Sequence, residues 1–149
     1  MREEIDEFMK IAIEEAKKGF EEGGIPIGSV LVSKDGKILG RGHNRRVQDN
    51  DPLAHAEIVA IRNAGRIKSY KDTILYSTLM PCFLCAGAIV QFGIKKVVVG
   101  ESKTFGGAKN FLKNNGVEVI DLDLSICKEL MEKFINENKE LWLEDIGEI

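Results

Sequence analysis

Three residues in the middle of the chain are of the types that bind zinc. His55 opens a His-Ala-Glu segment, and Cys82 and Cys85 lie in a Pro-Cys-Phe-Leu-Cys segment that begins at residue 81. One imidazole and two thiolates supply three of the four ligands of a tetrahedral zinc site and leave the fourth position for water. The two cysteines are one helical turn apart, so both sulfur atoms can contact one ion. The spacing predicts a single Zn²⁺ held by these three side chains.

Glu57, two residues after His55, is placed to carry protons. His-x-Glu followed by Pro-Cys-x-x-Cys is the pattern of zinc deaminases. We expect Glu57 to take a proton from zinc-bound water, so that hydroxide attacks a carbon bearing an amino group, and then to protonate a ring nitrogen and the leaving ammonia. Residues two apart do not share a helix face. His55 and Glu57 can therefore serve one site only if the metal lies over the end of their helix.

Other interpretations of these residues remain open. A Cys-x-x-Cys pair also occurs in thioredoxin-like redox proteins. A closed structural zinc site would need a fourth protein ligand, for which Cys127 or His43 is available. Asn44, in a Gly-His-Asn segment, is either a turn residue chosen for its backbone tolerance or a side chain whose amide contacts a substrate carbonyl or ring N–H. We favour the substrate contact.

Length and composition favour one domain over residues 1–149, with a small-molecule substrate. The formal charge of −3 gives no electrostatic attraction to nucleic acid or to an anionic membrane surface. The chain has three cysteines, two of them in one Cys-x-x-Cys, which favours a reducing, cytoplasmic setting over a disulfide framework. No apolar run is as long as a membrane span, and residues 1–4 are expected to open an amphipathic helix rather than a signal peptide.

The order of helical and strand patterns predicts an α/β fold. Apolar residues at helical spacing run from Ile5 to Phe20 and end at two glycines, and further helices are predicted from near Leu53 to Gly65, over 82–91 and over 125–138. Strands are predicted over 27–32, 38–39, 73–78, 96–99 and 117–120, with a turn joining the first two and loop chemistry from Gly42 to Pro52. The tail 141–149 is apolar enough to dock. We expect a three-layer α/β/α sandwich around a five-stranded mixed sheet.

Several segments beyond the zinc motif carry a resemblance to a known family. They are Glu-Gly-Gly-Ile-Pro-Ile-Gly at 22–28, Gly-Arg-Gly-His-Asn at 40–44, Tyr-Lys-Asp-Thr at 70–73, Val-Val-Gly-Glu at 98–101 and Trp-Leu-Glu-Asp-Ile-Gly-Glu at 142–148. With these segments the chain resembles the cytidine and deoxycytidylate deaminase superfamily, and within it the fungal-type cytosine deaminases. The acidic tail that contains the only tryptophan is the segment most specific to that branch.

The resemblance implies a homodimer with one zinc ion per subunit and a small buried pocket for a free base. Asn44 would bind the substrate carbonyl and ring N–H, and Asp145 would accept a hydrogen bond from the amino group that leaves. Phe105, Trp142 and Ile146 would form an apolar lid that excludes water from the ring. Ala56 and Met80 would also contact the substrate. The most favoured reaction is the conversion of cytosine to uracil and ammonia.

Two residues depart from the fungal pattern and keep other substrates open. Met80 stands where those enzymes carry a small polar residue, and Ala56 stands where they carry glycine. Creatinine and isocytosine present a similar ring edge, and guanine is a further alternative. The His-Ala-Glu form also suggests a tRNA adenosine deaminase, although such a protein should have a basic surface. A zinc-stabilised binding module without activity is the remaining alternative, and the presence of Glu57 argues against it.

Overall fold

The strands of the chain form one mixed sheet that helices cover on both faces. The structure, a computed structural model, describes residues 4–149, and within them the elements are α1 (Glu7–Glu21), β1 (Gly28–Val32), β2 (Ile38–His43), α2 (Ala56–Ala64), β3 (Ile74–Ser77), α3 (Phe83–Phe92), β4 (Lys96–Val99), α4 (Lys109–Asn114), β5 (Glu118–Asp121), α5 (Ser125–Glu137) and α6 (Lys139–Asp145). The strand order is β2-β1-β3-β4-β5. This arrangement confirms the predicted three-layer sandwich.

The sheet changes from antiparallel to parallel at its central strand. β1 pairs antiparallel with β2 on one side and with β3 on the other, while β3, β4 and β5 run parallel. Parallel pairing needs a crossover connection, and α3 and α4 supply the crossovers between the last three strands. All five residues of β1 are buried, as expected for a strand covered on both faces.

Separate apolar clusters lie on the two faces of the sheet. On one face, α1 contributes Met9, Ala12 and Ile13, and α5 contributes Cys127. On the other face, α2, α3 and α4 contribute residues such as Ile61, Ile89 and Leu112. A third cluster lies at one end of the sandwich, where Trp142 of α6 packs with residues that include Ile25, Leu79 and Phe134. The sequence-predicted tail thus docks through its tryptophan as a short helix.

The second strand is longer than the sequence predicts. The sequence predicts a strand over 38–39 and a loop from Gly42, whereas β2 continues to His43. A Cβ atom on Gly40 would collide with the carbonyl oxygen of Ala60, and one on Gly42 would collide with Cγ1 of Val59. The close packing of α2 on the strand therefore requires both glycines, and the loop assignment of residues 42 and 43 was wrong.

The helix boundaries also differ at two N-termini. α2 begins at Ala56, three residues later than predicted, because His55 has an extended backbone and forms the N-cap. α1 begins at Glu7, where Oδ1 of Asp6 accepts a hydrogen bond from the backbone N–H of Phe8 at 2.8 Å. Of the predicted opening segment at 1–4, residues 1–3 lie outside the described residues. Within residues 4–149, the helices are all too short or too polar to cross a membrane.

Candidate active site

The three zinc-type residues lie where two helices begin. His55 is the N-cap of α2, Cys82 is the N-cap of α3, and Cys85 lies in the first turn of α3. A helix N-terminus presents unpaired N–H groups and a partial positive charge, which favour thiolates. Glu57, the second residue of α2, also lies at that helix end. The structure therefore has the arrangement over a helix end that the spacing of His55 and Glu57 required.

The donor atoms of these three residues form a group that fits zinc. One ligand atom from each of His55, Cys82 and Cys85 lies within 4.8 Å of the others. Nδ1 of His55 lies 3.5 Å from Sγ of Cys82. Zn–S and Zn–N bonds of typical length at a tetrahedral angle place the two donors about 3.6 Å apart. The observed distance thus matches a shared ion and identifies Nδ1 as the histidine donor.

Neither candidate for a fourth ligand joins this group. Within residues 4–149, the only cluster of histidine, cysteine and acidic side chains with metal-binding spacing contains His55, Cys82 and Cys85. His43 instead contacts two carboxylates of α1 and its C-cap, and Cys127 belongs to the apolar cluster on the α1 face of the sheet. The arrangement leaves a position for water, which favours an open zinc site over a closed structural one.

The electrostatics of the thiols already favour ionisation at Cys82. Hydrogen bonds with Cys85 and with His55 lower the pKa of the Cys82 thiol to about 4, against the effect of burial. The hydrogen bond with Cys82, together with burial, raises the pKa of the Cys85 thiol. Burial acts to lower the pKa of His55, but its hydrogen bond with Cys82 and the negative charges of Asp145, Cys82 and Glu57 together outweigh this and raise that pKa to about 9. Zinc binding must therefore release protons from this group.

Glu57 is a buried carboxyl beside the zinc ligands. Only 4% of its surface is exposed. Burial raises the pKa of Glu57 to about 7, and the neighbouring Cys82 thiolate adds to the increase. Its interaction with Cys85 contributes to the raised pKa of that thiol. A carboxyl with this environment has the chemistry required of a proton carrier near neutral pH.

A small cavity adjoins the zinc group and Glu57. At its wall, Nδ2 of Asn44 donates a hydrogen bond to Oδ2 of Asp145 at 2.9 Å. The rings of Phe105 and Trp142 meet edge to face with centroids 5.7 Å apart. The cavity thus has polar groups on one side and an aromatic corner on the other.

Most side chains singled out from the sequence line this cavity, and two lining residues were missed. The predicted ones are Asn44, His55, Glu57, Met80, Cys82, Phe105, Trp142, Asp145 and Ile146. Two of the predicted residues, Ala56 and Cys85, do not line the cavity. Ala56 is instead buried as the first residue of α2. Ile27 and Leu79 complete the lining. In the sequence, Ile27 and Leu79 are marked only by lying beside a strand end. Many core residues share that position, so it could not single them out.

Comparison with known proteins shows the family of the chain. Residues 2–101 match the family described as the cytidine and deoxycytidylate deaminase zinc-binding region. The chain belongs to this deaminase family. It is a hydrolytic deaminase that acts on a carbon–nitrogen bond, and His55, Cys82 and Cys85 are the group placed to bind its zinc ion.

Relatives of this deaminase differ in their substrates. Over 142 residues it is 49% identical to the cytosine deaminase of Candida albicans, covering 94% of this chain and 95% of that protein. Over 135 residues it is 42% identical to the tRNA-specific adenosine deaminase of Buchnera aphidicola, covering 89% of this chain and 85% of that protein. A solved structure from a study of tRNA:A34 deaminases is 34% identical with a TM-score of 0.74, covering 83% of this chain and 97% of that chain.

Proposed function

We propose that this deaminase converts cytosine, as a free base, to uracil and ammonia. The observation that carries the proposal is the cavity lined by Trp142, Asp145 and Ile146 together with Phe105 and Asn44. A small cavity with an aromatic corner suits a flat monocyclic ring. The 49% identity to the Candida albicans cytosine deaminase, over 94% of this chain, supports the same substrate.

The hydrogen-bonding groups of Asn44 suit the carbonyl edge of such a ring. Its Oδ1 accepts from the backbone N–H of Arg46 at 3.0 Å, and its Nδ2 donates to Asp145 at 2.9 Å. A carboxamide has two N–H donors and two lone pairs on its oxygen. One donor and one acceptor therefore remain for the substrate carbonyl and the adjacent ring N–H. Asp145, which Asn44 holds by that hydrogen bond, is the proposed acceptor for the amino group that leaves.

Glu57 is the proposed proton carrier of the reaction. Bound zinc supplies a Lewis acid that lowers the pKa of water to near neutrality. Glu57 takes one proton from the attacking water and delivers it to the ring nitrogen. It then takes the proton of the newly added hydroxyl group and delivers it to the amino group, which leaves as ammonia. Phe105, Trp142 and Ile146 cover the apolar faces of the ring and exclude other water, while Met80 forms part of the cavity wall. Exclusion of water strengthens the polar contacts beneath the lid.

Ammonia release from a panel of free bases tests the proposal. The zinc-loaded enzyme is assayed with cytosine, isocytosine, creatinine, guanine and adenine, with the Glu57→Gln variant as the matched control. We expect cytosine to give the highest kcat/KM and the variant to give no ammonia. A higher kcat/KM with another base would overturn the assignment of cytosine. Failure to release ammonia from any of them, with zinc bound, would favour a binding module.

A tRNA adenosine deaminase is the second candidate, because of the 42% identity to the Buchnera aphidicola enzyme. Against it, α6 covers the cavity with an acidic segment that includes Glu140, Glu144 and Asp145, and the net charge is −3. Phosphate backbones are bound by basic surfaces, and that binding weakens steeply with salt. A gel shift with tRNA at low salt and an assay for inosine decide between the two candidates. A shift accompanied by inosine formation would contradict the free-base proposal.

We further propose that the enzyme works as a homodimer through an apolar face on α3 and α4. Phe83, Leu84 and Phe92 of α3 are 69%, 41% and 49% exposed, and Phe111 of α4 is 37% exposed. The rings of Phe83 and Phe111 contact each other edge to face. Contiguous exposed apolar surface of this kind marks an interface. Light scattering should give twice the chain mass, and a monomer at micromolar concentration would contradict the proposal.

We also propose that the enzyme is cytoplasmic, because Cys82 and Cys85 must stay reduced to bind zinc.

A further inference from the structure

The last residue of β2 connects that strand to an acidic residue in the middle of α1 and to another at its C-cap. His43 is buried, with 7% of its surface exposed. Its Nδ1 lies 2.8 Å from Oε1 of Glu15, and its Nε2 lies 2.8 Å from Oε1 of Glu22. A guanidinium nitrogen of Arg45 also lies 3.3 Å from Nε2. The two carboxylates are about two helical turns apart, so His43 fixes the strand end at two points of the helix.

Neighbouring side chains on the same side of the segment reinforce this contact. Nε of Arg41 donates to Oε2 of Glu15 at 2.7 Å, and a guanidinium nitrogen of Arg45 lies 3.1 Å from Oε1 of Glu22. We call Glu15, Glu22, Arg41, His43 and Arg45 the His43 cluster. Because alternate residues of an extended chain face opposite sides, Asn44 is turned away from the cluster and toward the cavity.

Backbone contacts hold Asn44 in the same place. Its N–H donates to the carbonyl oxygen of Ile27 at 3.0 Å. Its carbonyl oxygen accepts from Nε2 of Gln48 at 3.2 Å, and that nitrogen also lies 3.1 Å from Oε1 of Glu22. Glu22 thus contacts His43 and Arg45, the two neighbours of Asn44 in the sequence. It also contacts Gln48, whose side chain binds the carbonyl group of Asn44.

We propose that the His43 cluster orients the Asn44 amide in the cavity, with His43 and Glu22 as positioning residues for substrate binding. This inference rests on the proposed function, because it takes Asn44 as the group that contacts the base. The hydrogen bonds and ion pairs of this cluster form in one register only, since a shift of one residue would turn His43 and the arginines away from the carboxylates. The cluster therefore fixes which side chain of the segment faces the substrate.

Glu22→Ala tests the proposal with little risk to the fold, because the Glu22 side chain is 42% exposed. The matched control is Glu21→Ala, which removes the same charge from an exposed neighbour at the same helix end. We expect Glu22→Ala to raise KM for cytosine by roughly three- to tenfold with a smaller change in kcat, as for neighbours coupled in one network. Glu21→Ala should leave KM unchanged, and Glu22→Gln, which retains the acceptor oxygen, should largely restore it. Equal effects of Glu21→Ala and Glu22→Ala would overturn the inference.

A double-mutant cycle with Asn44→Ala separates positioning from a general effect on stability. If Glu22 acts through Asn44, Glu22→Ala has no further effect on KM in the Asn44→Ala background. Additive effects would overturn this inference and leave the proposed function intact. An Asn44→Ala variant with the KM of the parent would instead overturn the substrate role of Asn44, which is part of the proposed function.

The single tryptophan gives a readout that does not depend on turnover. Trp142 lies three residues before Asp145, which Asn44 holds by a hydrogen bond, and only 6% of its surface is exposed. A misplaced Asn44 releases that contact and loosens α6. We expect acrylamide quenching of Trp142 fluorescence to increase in Glu22→Ala and in Asn44→Ala, and to stay at the parental level in Glu21→Ala. Unchanged quenching in Glu22→Ala would contradict the positioning role.

Discussion

Truncation of Trp142 should open the cavity without unfolding the protein. Trp142 is 6% exposed and packs in the cluster that contains Ile25, Leu79 and Phe134. Replacing a buried tryptophan by alanine typically costs about 3–5 kcal/mol. α6 has seven residues, too few to be stable without packing.

The polar contacts of α6 are too weak to compensate for this loss. The hydrogen bond from Asn44 to Asp145 contributes about 1–3 kcal/mol, as for a bond to a charged group. The 3.4 Å ion pair of Arg46 with Glu144, whose side chain is 56% exposed, adds about 1 kcal/mol at most. Trp142→Ala should therefore detach α6 while the sheet and its other helices stay folded. Because Asp145 and Ile146 then leave the cavity, kcat/KM for cytosine should fall by about 100-fold or more, or about 3 kcal/mol of transition-state stabilisation.

Kinetics and hydrogen exchange check this expectation together. Backbone amides of residues 139–145 should exchange rapidly in Trp142→Ala, while zinc content and the melting temperature stay close to the parental values. Trp142→Phe, which retains an aromatic contact with Phe105, should lose far less activity, and Glu140→Ala on the exposed side of α6 serves as the matched control. Parental activity in a Trp142→Ala protein whose α6 amides exchange freely would refute the reasoning. So would unfolding of the whole chain.

Three further predictions concern the zinc group, Glu57 and the pH dependence of stability. Glu57→Gln should lower kcat by about 100-fold or more while one zinc ion per chain remains bound, as measured by metal analysis, because the carboxyl is not one of the three grouped ligands. Chelation should abolish turnover and added Zn²⁺ should restore it, with the affinity for zinc falling on acidification because protons compete for His55 and the thiols. Burial acts to raise the pKa of Glu15, but hydrogen bonds with His43 and Arg41 outweigh it and lower that pKa below 4.5. The folded state then binds fewer protons than the unfolded state, so this contribution to stability is present above pH 4.5 and is lost as the pH falls through the folded-state pKa. In chemical denaturation, the stability difference between the parent and Glu15→Gln should therefore shrink on acidification.

The zinc group could be predicted from the sequence because its chemistry is local. The Pro-Cys-x-x-Cys and His-x-Glu segments each begin a helix, and helix ends are set by nearby residues. Residues two apart do not share a helix face, so the geometry of a single helix was enough to predict a metal over the helix end beside His55 and Glu57. The structure has that arrangement, with His55 and Cys82 as the two N-caps.

Features that depend on contacts distant in the sequence could not be predicted. The predicted loop from Gly42 includes two residues of β2, and the glycines at 40 and 42 accommodate the backbone and side chains of α2. His43 was considered as a possible zinc ligand, yet its partners, Glu15 and Glu22, lie more than twenty residues earlier. Ile27 and Leu79 reach the cavity only because the sheet places their strand ends beside it. In each case the decisive neighbour comes from another element.

The hydrogen bond between Asn44 and Asp145 also affects which molecules should leave the cavity. A carboxylate has two oxygen atoms, so Asp145 can accept a hydrogen bond from the amino group of a bound ring while it still accepts one from Asn44. The deaminated ring presents a carbonyl oxygen in place of that amino group, and a carboxylate repels it. Loss of the donor should therefore help to expel the product.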